Sequence, residues 1–146
     1  MTDHLDPHRL VRLRGCHPAL KARVTALIED LRRQGHHLIV TQGVRSAAQQ
    51  QALYAQGRSK PGKVVTNCDG VRNVSNHQPK ADGFGYAVDV AWVIEGKVTW
   101  EGPWELMMDR AESHGLTPGG RWARFPDRPH LELPRTFVAP TAASVS

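Results

Sequence analysis

The sequence predicts a small, single α+β domain with a central antiparallel sheet packed by helices. Three observations point there. Pro18–Gln34 and Pro103–His114 repeat apolar residues at helical spacing. Short β-prone runs lie between them, and Glu95-Gly96-Lys97 turns one run back on itself as a hairpin. The chain has 146 residues, 40% of them apolar, which suffices for one core without staples. It shows no internal repeat and no second domain.

The elements follow in order. Leu20, Val24, Leu27, Ile28 and Leu31 share one face of the first long helix, with Pro18 in its first turn and Gly35 closing it. His37–Thr41 reads as a buried strand and Gln42-Gly43-Val44-Arg45 as a turn. Ser46 is an N-cap for a short helix that runs to about Gln56 and stops at Gly57. Residues 57 to 85, rich in Gly, Pro, Asn, Ser and Lys, read mostly as a loop, and a loop that long is usually functional or mobile. Tyr86–Val93 is the next strand, with a short partner ending near Trp100. The second long helix presents Trp104, Met107, Met108 and Ala111 on one face, and Gly115 follows it. Pro118-Gly119-Gly120 is a turn, and Leu131–Leu133 a short final strand. The folded domain is expected at residues 1–133, and residues 134–146, without a core pattern, as a flexible C-terminal tail.

No apolar run approaches membrane-spanning length, and the first residues lack the basic start and apolar stretch of a secretory signal. Synthesis in the cytoplasm is therefore expected. Cys16 and Cys68 stand far apart and outside any CxxC arrangement, so free thiols are expected and their pairing stays open. The net charge of +5 favours anionic partners. The basic residues are scattered and not interleaved with aromatics, so no nucleic-acid partner is expected, and an anionic cell wall suits the same charge.

The chemistry resides in three polar segments: Ser75-Asn76-His77, Gly85-Tyr86-Ala87-Val88-Asp89 and Asp127-Arg128-Pro129-His130. Two histidines and a carboxylate are what a catalytic zinc takes from its protein, with the fourth position left for water. On the strand, Tyr86, Val88, Val90 and Trp92 share the face suited to packing, and Ala87, Asp89 and Ala91 share the other. A carboxylate flanked by two alanines leaves room for a ligand. Alone, the pattern better fits an Asp facing solvent or paired with an arginine. His130 and Glu132 share a face of the last strand, which also fits a solvated edge. Asp127, three residues before His130, stands where a base beside the water would sit. Arg45 occupies a strand-end turn, where a guanidinium grips a carboxylate or steadies an oxyanion. The other histidines (His4, His8, His17, His36, His37 and His114) lie in the N-terminal segment or near helix ends, with no second ligand at useful spacing.

These segments resemble the VanY-like zinc peptidases, specifically the bacteriophage L-alanyl-D-glutamate endopeptidases (endolysins). That family shows Ser-x-His-x-x-Gly-x-Ala-x-Asp and a later Asp- or Glu-x-x-His, often within Trp-x-x-Phe-x-Asp-x-Pro-His-x-Glu. Here Ser75-Asn76-His77 with Gly85-Tyr86-Ala87-Val88-Asp89 matches the first, and Trp122 through Glu132 the second. Thr41–Ser46, Gln50–Arg58 and Gly115–Gly120 look like family sequence too, so the likeness spans residues 10 to 133 in consistent order. His77 and Asp89 stand farther apart than the pattern has them. Residues 78–84 read as an insertion at the mouth of the site, which leaves Asp82 as a rival carboxylate.

The resemblance implies the hedgehog/D-Ala-D-Ala peptidase fold, with Zn²⁺ bound by His77, Asp89 and His130. It implies Asp127 as catalytic acid/base and Arg45 in contact with substrate. Ser75 and Gln50 line the pocket, and Glu132 orients a ligand from behind. It implies a peptidoglycan partner, the L-alanyl-D-glutamate bond of stem peptides as substrate, and host-cell lysis as outcome. A monomer made in the host cytoplasm would reach the wall with a holin-type partner. The rivals are a D-alanyl-D-alanine carboxypeptidase or dipeptidase, and a non-catalytic wall-binding module.

Overall fold

A computed structural model of the chain describes residues 9–56, 58–59, 64, 75–124 and 126–137. Its elements are helix α1 (Arg9–Arg12), helix α2 (Pro18–Arg33), strand β1 (His37–Gln42), helix α3 (Ala47–Ala55), strand β2 (Ala87–Ile94), strand β3 (Lys97–Thr99), helix α4 (Trp104–Ser113), strand β4 (Thr117–Pro118), a 3-10 turn (Gly119–Arg121) and strand β5 (His130–Glu132). The sheet order is β1-β2-β5-β4, every pairing is antiparallel, and β3 pairs with β2. Among the described residues no helix is long and apolar enough to cross a membrane.

The helices begin and end for local reasons. His17 Nδ1 accepts from Ala19 N at 3.0 Å and caps α2, ahead of Pro18. At the other end Gly35 takes φ +88°. His36 N then donates to Leu31 O and Gly35 N to Arg32 O, a Schellman closure that needs a left-handed residue. Ser46 and Gln49 form a reciprocal capping box on α3 (3.1 and 2.8 Å).

The core lies on one face of the sheet. Leu20, Val24, Leu27 and Leu31 of α2 are fully buried with Val88 and Val90 of β2, Met107 of α4 and Leu131 of β5. Truncating Leu27 to Ala here would cost about 2–5 kcal/mol. The alternation on β2 follows the expected pattern, so Asp89 projects from the face opposite this core.

Three features depart from the sequence reading. α1 and β4 are too short to leave a periodic signal. His17, expected to be bland, is buried among the rings of Phe84, Tyr86 and Phe137, 5.1–5.5 Å away. Residues 134–137, expected as the start of the tail, fold back so that Phe137 packs against the core beneath the Arg23 guanidinium. Residues 138–146 lie outside the described ones, as do Gly57, most of the 57–74 loop, His4 and His8. Cys16 is a free, buried thiol whose pKa burial pushes up to about 11, against the opposing influence of Lys21 and the backbone of Val44. Cys68, its candidate partner, lies outside the described residues.

Candidate metal centre and catalytic cleft

Strand register assembles the centre. Asp89 sits opposite Gln42 of β1 on one side and His130 of β5 on the other, with Ala87 opposite Glu132. The β1–β2 register shifts between Val40 and Gln42, a bulge at the edge of the site. His77 arrives from the loop before β2. That loop is pinned by backbone bonds from Arg45 N to His77 O and from Tyr86 N to Asn76 O, both 2.7 Å. Ser75 Oγ accepts from His77 N at 3.2 Å and tightens the turn.

The three expected ligands come together. His77 Nε2 lies 3.2 Å from His130 Nδ1 and 3.3 Å from Asp89 Oδ1, and His130 Nδ1 lies 3.6 Å from Asp89 Oδ1. Ligand atoms about 2.0–2.1 Å from a tetrahedral zinc stand about 3.3–3.4 Å apart, so these spacings suit such an ion. The outward nitrogens fix which ring atoms face inward. His77 Nδ1 lies 2.9 Å from Gly43 O, and a carbonyl only accepts, so that nitrogen carries the hydrogen. His130 Nε2 is held the same way by Glu132 Oε1 at 2.6 Å. With the far nitrogens so engaged, His77 Nε2 and His130 Nδ1 turn toward each other, beside a buried Asp89 Oδ1 that has no hydrogen-bond partner. A cation satisfies all three. These residues fit a divalent metal with nitrogen preference.

The charges agree. Burial works to raise the pKa of Asp89, but His130 and His77 outweigh it and hold the carboxyl below its usual range. Burial opposes charge on His130, yet Asp89 and Glu132 prevail and push it up to about 9. The pocket attracts positive charge.

A cleft of about 1060 Å³ opens over the trio, and Arg45, Ser75, Asp127 and Glu132 line it. Asp127 comes from the turn before β5, where its backbone N donates to Gly119 O at 3.0 Å and its O accepts from His130 N at 3.1 Å. Burial first, then the charge of Asp89, raises its pKa, against the opposing pull of His130, His77 and Arg45. That direction suits a group that must both take and give a proton. Arg45 is buried and 3.6 Å from Asp89 Oδ2, and it donates to Gln50 Oε1 at 2.6 Å and Gln42 Oε1 at 2.8 Å.

Two expectations change. Gln50 is fully buried in α3 and holds Arg45 from behind, where it does not line the cleft. Asp82 is exposed and engaged by Phe84 N and the Tyr86 hydroxyl, away from the trio, so it is no rival to Asp89. Sequence reasoning assigned no role to Asn76, whose Nδ2 donates to Glu132 Oε2 at 2.9 Å, or to Trp122, whose ring lies 4.8 Å from that of His130. Phe125 of the same motif lies outside the described residues.

No family model matches the chain. It is 33% identical over 128 residues to the peptidoglycan L-alanyl-D-glutamate endopeptidase CwlK of Bacillus subtilis, covering 80% of this chain and 72% of that protein. The fold is similar to that of the L-Ala D-Glu endopeptidase ChiX of Serratia marcescens (TM-score 0.58, 24% identity, 87% of this chain and 86% of that one). It is also similar to the vancomycin-resistance D,D-pentapeptidase VanY of a VanB-type cassette, in complex with Zn(II) (TM-score 0.59, 17% identity, 81% and 72%). With a relative at that identity over most of both sequences, and with this fold, the chain belongs to the VanY-like zinc peptidase family.

Proposed function

We propose that the chain is a zinc-dependent peptidoglycan peptidase that hydrolyses the L-alanyl-D-glutamate bond of murein stem peptides. The observation that carries this reading is the pair of imidazole nitrogens 3.2 Å apart beside the buried Asp89 Oδ1, which has no hydrogen-bond partner. The bond assignment follows the relative that is 33% identical. His77, Asp89 and His130 would hold the zinc, which supplies Lewis acidity for the scissile carbonyl and its attacking water.

The chain's own residues do the rest. Asp127, its carboxyl raised by burial and by Asp89, takes the proton of the attacking water and passes it to the leaving amine. Arg45, braced by Gln50 and Gln42, faces the oxygen on which charge develops. Glu132 keeps His130 in the tautomer that presents Nδ1.

Zinc content measured together with mass spectrometry of digested muropeptides tests the reading. Stoichiometric zinc and new D-glutamate amino ends support it. Loss of a terminal D-Ala instead establishes a carboxypeptidase, and murein binding without cleavage by the zinc-loaded protein establishes a wall-binding module.

In its biological setting we infer a phage endolysin, a monomer made in the host cytoplasm and delivered to the wall by a holin-type partner. Small size and the +5 charge support this. Lysis on expression only when a holin is co-expressed, and a single sedimenting species of monomer mass, are the expected results.

A further inference from the structure

The cleft carries cations that its carboxylates leave unneutralised. Asp89 faces the histidines and Arg45, Glu132 is engaged by His130 and Asn76, and Asp127 feels the charges of His130, His77 and Arg45. Lys80, Arg124 and Arg135 line the same cleft, and among the described residues no carboxylate pairs with any of them.

Lys80 is delivered to the rim by a defined turn. Its N donates to Phe84 O at 2.9 Å, and Gly83 N donates back to Lys80 O at 2.8 Å. The nearest acid in sequence, Asp82, is already engaged by Phe84 N and the Tyr86 hydroxyl. Lys80 Nζ instead donates to the neutral Asn76 Oδ1 at 2.7 Å and sits 5.2 Å from the centre of the Tyr86 ring. An ammonium has three donors, so two stay available. Asn76 in turn bonds Glu132, and the chain runs from Glu132 to Arg135 in three residues. Lys80 and Arg135 both line the cleft, as do the Tyr86 ring beside Lys80 and the Phe137 ring 6.0 Å from it.

A glutamyl residue has two carboxyl groups, and a peptide continues through only one. The residue after an alanyl–glutamate bond thus always presents a free carboxylate on its leaving side, unless that group is amidated. Resting on the function proposed above, we infer that Lys80 and Arg135 form the subsite that receives this carboxylate. They make the enzyme selective for acidic over amidated stem peptides. The ammonium held by Asn76 is a pre-placed point charge, and the guanidinium adds a planar fork that matches a carboxylate.

The experiment compares two synthetic stem tripeptides, alike except that the free glutamyl carboxylate is an amide in one. The zinc-loaded wild type should cleave the acidic peptide with a kcat/KM about tenfold or more above the amide, a preference that shrinks with salt. K80A/R135A should lose that preference by slowing on the acidic peptide alone, and K80R should retain it. K97A, which removes the same charge from the start of β3, outside the cleft lining, should behave as wild type. Equal cleavage of both peptides by the wild type, or equal loss on both in the double variant, overturns the subsite. Calorimetric binding of the two peptides separates this from the function reading. If neither peptide is cleaved, tighter binding of the acidic one that K80A/R135A abolishes upholds the subsite while the reaction assignment falls. Equal binding overturns the subsite.

Discussion

His77 Nε2 and His130 Nδ1 face each other across 3.2 Å, each ring turned by an acceptor on its far side. Two acceptors at that distance, with Asp89 Oδ1 beside them, repel unless a proton or a metal lies between. The folded state is therefore expected to gain stability from zinc. A free concentration about a hundredfold above Kd contributes about 2.7 kcal/mol. In a domain of this size that raises Tm by about 5–10 °C. Magnesium, which prefers oxygen ligands, should leave Tm unchanged. Thermal denaturation of chelator-treated protein with each ion checks this, and an equal response to both counts against a nitrogen-rich centre.

Glu132 acts on the metal only through His130. Replacing it with Gln removes the carboxylate that holds Nε2–H at 2.6 Å and lets the ring adopt the other tautomer. E132Q should fold normally and bind zinc about 10–100-fold more weakly. Competition with a chromophoric chelator reads this directly. Wild-type affinity in the variant would mean that the ring is oriented by something else.

Asp127 is adjacent to the trio and holds none of the three positions. D127N should keep stoichiometric zinc and the wild-type Tm while kcat falls by about 10²–10⁴-fold. Unimpaired turnover would assign the proton transfers to another group.

Much of this centre was legible because period-2 alternation is a strong constraint. It put Asp89 between two alanines on the face away from Val88 and Val90, and it put His130 and Glu132 together. His77 was not legible in that way, since it comes from a loop and is one of 8 histidines. It drew weight only from the company of Asp89 and His130 and from the resemblance. The partners that orient the rings were hidden for a different reason. Gly43 O meets His77 across 34 positions and Asn76 meets Glu132 across 56, and no local pattern encodes such pairs. Gln50 was placed in the pocket by resemblance alone, which does not distinguish a residue lining the cleft from one buried behind Arg45 and bonded to it.

Gly43 combines two duties in one backbone position. A Cβ there would lie 1.9 Å from Arg12 O and 3.2 Å from Cys16 Sγ, so the chain can pass only without a side chain. The same residue's carbonyl turns His77. G43A must push β1 and α1 apart, at a cost of about 1–3 kcal/mol or more, and should weaken zinc binding as the carbonyl shifts. Denaturant titration in chelator isolates the packing cost, and the zinc-induced rise in Tm isolates the orienting one. If only the first changes, the Gly43 carbonyl has no part in the metal site.

Far from the cleft, Asp30 ties α2 to α4. His114 Nε2 and Arg110 both reach Asp30 Oδ2, at 2.8 and 2.7 Å, and Gln34 reaches Oδ1 at 2.8 Å. The bond from His114 is the largest influence. With Arg110 and Gln34 it overcomes the opposing effect of burial and lowers the pKa to about 2. The unfolded chain has an ordinary Asp near 3.9. A depressed folded pKa means that the unfolded state binds the proton more readily. The stability Asp30 contributes is therefore complete above about pH 4 and is lost as pH falls through about 2. D30N should lower Tm at pH 7 by about 2–4 °C, and the gap between wild type and variant should close between pH 4 and pH 2. Parallel melting curves across that range measure it. A gap that persists unchanged at pH 2 would show that Asp30 contributes by shape and hydrogen bonding alone, without its charge.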